Sequence, residues 1–274
     1  MKNLPIKTKL FVATLATILL LTFTMTWRSY SGISELSEEL SALTQKNLKE
    51  EVVARLQTEA SAYGEQVGNY INSAFRIPLT FKNVLEQSIQ SENRLSRDQV
   101  NDMFQQLLIA NKDISSAYVQ FEANAYDGQD EEFTDGQALH SVADYGSFEL
   151  YWYRNKEGKV TQESVEDIEE KHLADKNEFG VRKAEWYLCP MDTKLACLVE
   201  PYIEEIEDGY SELMSTLSAP VIVDREFKGT IGVDINLPLF QKLTEKLSKS
   251  LYNGEARVTL VSQLGLIVAS SHYQ

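Results

Sequence analysis

Eighteen consecutive residues without a charge, Leu10 to Trp27, limit this chain more than any other feature. At the α-helical rise they reach ~27 Å, close to the ~30 Å apolar thickness of a bilayer. Five threonines interrupt the stretch, and in a helix each hydroxyl can bond back to a carbonyl one turn earlier. Lys2, Lys7 and Lys9 precede it with no acid among them. The positive-inside rule therefore places residues 1–9 in the cytoplasm, 10–27 in the membrane and the rest outside. Trp27 and Tyr30 fall where interfacial aromatics belong. A cleaved signal peptide needs small residues at alternate positions, and Ser29-x-Ser31 is a poor version of that site. An uncleaved anchor is expected.

The remainder is acidic. Acids outnumber bases 41 to 26, for a net charge of −15, and the basic head (Lys2, Lys7, Lys9, Arg28) leaves the rest at −19. Such a balance excludes a nucleic-acid binder, which needs a basic face for phosphates. Three scattered histidines and two cysteines argue against a zinc site, and no metal or other cofactor is expected. The chain contains no G-x-S-x-G, P-loop or H-E-x-x-H, so no enzymatic activity is expected either.

After the anchor, Ile33, Leu36, Leu40, Leu43, Leu48, Val52, Leu56, Ala60, Tyr63, Val67, Tyr70 and Ala74 recur at helical spacing up to Pro78. The spacing predicts a stalk helix over 28–78, far beyond ordinary globular length. Its stripe must be covered by the chain's own domain, by a parallel partner helix, or by each at different heights. Shorter helices are expected over Leu79–Ser91 and Asp98–Asn111, the second capped by Ser96. Strand-like composition then appears at Ile114–Glu122, Phe148–Arg154, Glu185–Cys189, Ala196–Tyr202, Leu213–Val223 and Thr230–Asn236. An amphipathic helix follows from Pro238 to about Leu251, then strands at Arg257–Val261 and Leu266–Ala269. The expected class is α+β: an antiparallel sheet with helices on one side. The acidic run Asp127–Gly136 lacks EF-hand spacing and reads as a solvated loop. Cys189 and Cys197, seven residues between them, suit a hairpin that sets them opposite each other. Outside the cytoplasm they are expected to form a disulfide, worth ~2–3 kcal/mol at most for so short a loop.

Several motifs in order resemble the extracytoplasmic half of bacterial methyl-accepting chemotaxis receptors with a double Cache domain. EANAYDGQDEEF (Glu122–Phe133) is similar to that family's E-P-N-A-x-D-G-x-D segment, with Ala123 in the proline position. YWYR (Tyr151–Arg154) resembles P-Y-W-x-R, with Leu150 for proline. EWYLCP (Glu185–Pro190), EPY (Glu200–Tyr202) and GTIGVDINL (Gly229–Leu237) resemble the pocket-lining segments. The resemblance implies a membrane-distal PAS-like Cache module over 79–237 that binds a small ligand. It further implies a connecting helix over 238–256, the start of a membrane-proximal module over 257–274, and a homodimer. The same ectodomain on a histidine kinase or diguanylate cyclase is the alternative, and a non-sensing membrane-anchored adhesin the alternative from another class.

Amino-acid-binding members resemble Y-x4-R-x-W-Y, then a Tyr and a distant Asp, in which Arg clamps the ligand carboxylate and Asp takes its ammonium. Trp186 and Tyr187 match W-Y, Tyr202 the later Tyr and Asp234 the Asp; Phe179 stands for the first Tyr and Ala184 for the Arg. Arg182, two residues away in a strand, would share the face of Ala184 but lie ~6.6 Å along. The expected ligand-binding residues are Tyr151, Trp152, Trp186, Tyr187, Tyr202 and Asp234, with core packing the competing role for each aromatic. Glu200 and Glu204 flank Tyr202 and read as solvated acids. With the carboxylate clamp missing and the ammonium partner kept, the expected ligand is an amine or other small cation.

Overall fold

A computed structural model describes residues 5–207 and 209–272. The chain forms two compact units, Met1–Gly64 and Glu65–Gln274. The first is the leading part of helix α1 (Ile6–Gln90). Here Leu10, Phe11, Leu19, Leu20 and Phe23 are exposed, and α1 is long and apolar enough to cross a membrane. The threonines behave as their spacing predicts. Thr14 donates to the Leu10 carbonyl and Thr26 to that of Thr22, so both hydroxyls are bonded within the helix. Further along, Ile33, Leu36, Leu40, Leu43 and Leu48 remain exposed.

In the second unit α1 continues through Pro78 to Gln90. No separate helix begins at Leu79, contrary to expectation. A mid-helix proline removes one hydrogen bond and crowds the preceding turn. Pro78 is nevertheless buried, as are Ala74 and Leu85 along the same helix, and packing outweighs the lost bond. Tyr70 meets Phe240 edge-on at 5.4 Å, and Phe81 meets Phe104 at 5.6 Å. Helix α2 (Arg97–Ala110) opens on a capping box, Ser96 accepting from Gln99 N–H and the Gln99 side chain accepting from Ser96 N–H. Its apolar residues Val100, Phe104, Leu107 and Leu108 are buried.

The sheet has seven strands: β1 (Ile114–Phe121), β2 (Glu149–Arg154), β3 (Val160–Ser164), β4 (Cys197–Leu198), β5 (Tyr202–Glu207), β6 (Tyr210–Val223) and β7 (Glu226–Asn236). Their order is β3-β2-β1-β7-β6, with β4 and β5 both on the far edge of β6, and every pairing is antiparallel. The α+β expectation holds. β3 had no clear signature, because its edge position admits the polar run Thr-Gln-Glu-Ser. The expected strand over Glu185–Cys189 is instead helix α3 (Glu185–Thr193). The Ala184 carbonyl accepts from Tyr187 N–H at 3.0 Å and Leu188 N–H at 2.8 Å, closing its first turn. Aromatic content is only a weak β signal, which tertiary contacts override. Helix α4 (Pro238–Ser250) and the pair β8 (Thr259–Val261) and β9 (Ile267–Ser270) follow.

The run Asp127–Gly136 is not merely a solvated loop. Arg97, almost fully buried, donates to both carboxylate oxygens of Asp127 at 2.8 and 2.7 Å and to Asp130 at 2.6 Å. It also donates to the Gly146 carbonyl at 2.6 Å. A bidentate guanidinium satisfies two carboxylates that burial would otherwise destabilise. Cys189 and Cys197 are joined, as expected, but they link a helix to a strand rather than two strands of a hairpin.

Candidate functional site

Asp234 lies near the C-terminal end of β7, within the otherwise apolar run Ile231-Gly-Val-Asp-Ile235. In the ladder it stands directly between Ser116 of β1 and Thr216 of β6. Both hydroxyls donate to its carboxylate, Thr216 at 2.5 Å, and the Tyr202 hydroxyl donates at 3.3 Å. Tyr202 also lies 2.8 Å from Thr216 Oγ1. Among the described residues no Lys, Arg or His forms an ion pair with Asp234. Burial pushes its carboxyl above the usual range, and the three hydroxyl bonds offset only part of that. A buried carboxylate with hydroxyl donors and no cation is a site that a cation would complete.

Aromatic rings surround it. Tyr118 pairs in register with Tyr151 on one side and Gly232 on the other. Its ring lies across Gly232 so closely that a Cβ there would be 2.2 Å from the hydroxyl. Trp186 of α3 covers Tyr118 edge-on, centroids 5.2 Å apart. The hydroxyls of Tyr118, Tyr151 and Tyr202 are all held well above the usual phenol range, by burial first and by the Asp234 charge second. Glu204, two residues beyond Tyr202 in β5, is open to water at the edge. Loss of hydration, then Asp234 and Glu170, nevertheless push its carboxyl up to about 7. Three acids thus influence one another around this end of the sheet, more than the solvated role expected for Glu204.

The structure brings together four of the residues singled out from the sequence: Tyr151, Trp186, Tyr202 and Asp234. Two lie elsewhere. Trp152 occupies the opposite face of β2 from Tyr151, since successive strand residues alternate, and its Nε1 donates to Asn101 of α2 at 2.8 Å. Tyr187, fully buried, is packed against Phe227 and His172, and its hydroxyl donates to Glu122 at 2.6 Å. Close by, Lys171 forms a buried pair with Glu149 and donates to the Phe121 carbonyl at 2.8 Å. Ser116, Tyr118 and Thr216 were missed. Their signal is present: polar residues at alternate positions of β1 (Ser116, Tyr118, Gln120), against a facing set Ala117, Val119 and Phe121 that is apolar.

The carboxylate clamp is absent at the matching position. Ala184 is buried directly before α3 and brings no charge to this position. Arg182 does not replace it, being bonded to Glu185 at 2.6 Å and to Asp192 at 2.6 Å. Phe179 is 50% exposed and stands apart from any packed wall.

Residues 100–242 match the family described as methyl-accepting chemotaxis protein-like, first PDC sensor domain. The chain is 33% identical over 239 residues to the methyl-accepting chemotaxis protein TlpQ of Pseudomonas aeruginosa, covering 84% of this chain and 33% of that receptor. It thus spans about a third of that relative's length. Among solved structures, a methyl-accepting chemotaxis protein X is similar with a TM-score of 0.60 at 23% identity, over 78% of this chain and 71% of that one. The extracellular domain of the histidine kinase mmHK1S-Z3 is similar with a TM-score of 0.58 at 23% identity, over 75% of this chain and 65% of that one. At these identities the structural likeness carries the fold.

Proposed function

Because the chain belongs to the methyl-accepting chemotaxis protein-like, first PDC sensor domain family, we propose that it is the membrane-anchored sensing part of a chemotaxis receptor whose ligand is a small amine. One observation carries the ligand class. Asp234 is buried, hydrogen-bonded by three hydroxyls and free of any cationic side chain among the described residues. An ammonium supplies the missing charge, and Tyr151, Tyr202 and Trp186 supply aromatic faces that favour it. A free α-amino acid would also need a cation for its carboxylate, and at the matching position there is Ala184. The test is thermal unfolding of the purified chain with amines, α-amino acids and organic acids. A true ligand at a hundredfold over its Kd adds ~2.7 kcal/mol, and Asp234→Asn should abolish the shift while the unliganded melt persists. Amino acids stabilising the protein where amines do not would overturn the reading.

Residues 1–9 are proposed to face the cytoplasm, 10–27 to span the inner membrane and the sensor to lie in the periplasm. The exposed stripe Ile33–Leu48 supports a parallel partner helix near the membrane. Cross-linking of single cysteines placed along Leu36–Leu43 should then show helical periodicity; uniform cross-linking would count against the dimer. The fold is shared with a histidine kinase sensor, and the family match and the 33% relative favour the chemoreceptor output.

A further inference from the structure

Beyond Asp234 the same face of the sheet carries a row of hydroxyls that nothing among the described residues satisfies. The Tyr118 hydroxyl, Ser218 Oγ and Thr230 Oγ1 are buried and have no hydrogen-bond partner among the described residues. Tyr118 is 4% exposed, and Ser218 and Thr230 are fully enclosed. They are contiguous. Tyr118, Gly232 and Ser218 occupy one cross-strand row, and Thr230 comes two residues before Gly232, just as Asp234 comes two residues after it. Since Gly232 has no side chain, the Tyr118 hydroxyl occupies the place of its Cβ, between Asp234 and Thr230. Ser218 stands opposite Cys197, whose disulfide to Cys189 holds α3 over this part of the sheet.

A buried hydroxyl without a partner is destabilising, so three side by side mark a place shaped for something else. Each is a neutral hydroxyl, and among the described residues no lysine, arginine or carboxylate bonds to any of them, so an uncharged polar group is the partner they can take without burying an unpaired charge. We propose that the ligand is an amine bearing an uncharged hydrogen-bonding group, received by Tyr118, Ser218 and Thr230 while Asp234 holds the ammonium. Adjacent residues on one strand face are ~6.6 Å apart, so a group at the Tyr118–Ser218 row is separated from the ammonium by about a four-carbon spacer, with Thr230 one step further closing its far side. The inference rests on the amine reading of Asp234 and adds the chemistry of the other end.

The test is calorimetric titration of the full chain in detergent micelles with 4-amino-1-butanol and with n-pentylamine, which differ by a hydroxyl in place of a methyl. The amino alcohol should bind at least tenfold tighter, because a site built around a hydroxyl is left with unpaired groups by the alkyl analogue. In the Ser218→Ala, Thr230→Val double variant, or in Tyr118→Phe where the double variant does not fold, the preference should fall severalfold. Equal affinities in the unaltered chain would overturn the inference and leave the amine reading standing. A preference that survives in the folded variants would also overturn it. Binding of neither amine would overturn both.

Discussion

The two faces of the central strands differ in a way that ordinary strand alternation does not explain. On the face toward α2, Ala117, Val119, Phe121, Leu217, Ala219, Val221, Ile231 and Val233 are all essentially water-free. On the other face, one residue over, Ser116, Thr216, Ser218, Thr230 and Asp234 are equally water-free. Amphipathic strands normally turn polar residues to solvent. Here both faces are covered, the second by α3 and the segment leading to it, so the polar residues have been moved indoors with their polarity intact. One face is built for cohesion. The other gives up cohesion for hydrogen bonds, and several of those bonds have no internal partner.

Substitutions should separate the faces cleanly. Leu217→Ala on the apolar face should cost about 3 kcal/mol, the usual toll of a buried leucine cavity, read by chemical denaturation. Its neighbour Thr216→Val is nearly isosteric but removes a donor to Asp234 and a partner of Tyr202. It should cost about 1–3 kcal/mol, as expected where a buried polar group loses its bond. A larger loss at Thr216 than at Leu217 would invert the comparison.

The pH dependence is subtler. The Glu204 carboxyl titrates at about 7 in the folded chain, against ~4.3 when unfolded. Between those values the native state holds more protons, so this group's contribution to stability falls as pH rises. Glu204→Gln should therefore lose less stability than the unaltered chain between about pH 5 and 7, measured as the difference between the two melting curves. Parallel curves would show that Glu204 is fully hydrated. Smallest of all, Ser218→Ala should raise unliganded stability by up to about 1 kcal/mol, because it removes a buried hydroxyl that has no partner among the described residues.

Much of this architecture was legible in the sequence because its causes are local. The long apolar start of α1 follows from hydropathy alone, the start of α2 from Ser96 and Gln99, and β6 and β7 from their β-branched runs. The errors come where distant contacts decide. Trp186 and Tyr187 look like strand residues, and only Tyr118 and Phe227, far off in the chain, settle that they belong to a helix. Asp127 and Asp130 look solvated until Arg97, 30 residues or more upstream, is seen between them. At the site, Asp234 was found because a carboxylate in an apolar strand is conspicuous. Trp152 was misassigned although the alternation that excludes it is itself readable, since it and Tyr151 cannot share a face. Ser116 and Thr216 are unremarkable until the register sets them on either side of the aspartate.

Gly232 gives the sensor a cheap route to new specificity. A methyl group at this position would collide with the hydroxyl and ring of Tyr118, not with backbone, and because that ring is buried beneath Trp186 any side chain here displaces Tyr118 from its place. A single nucleotide change in one glycine codon would then remodel the floor of the site and exchange a hydroxyl for a methyl, with Asp234 still in position. Position 232 therefore sets the shape of this face without changing the fold, which makes it the first place to compare between sensor domains of this family.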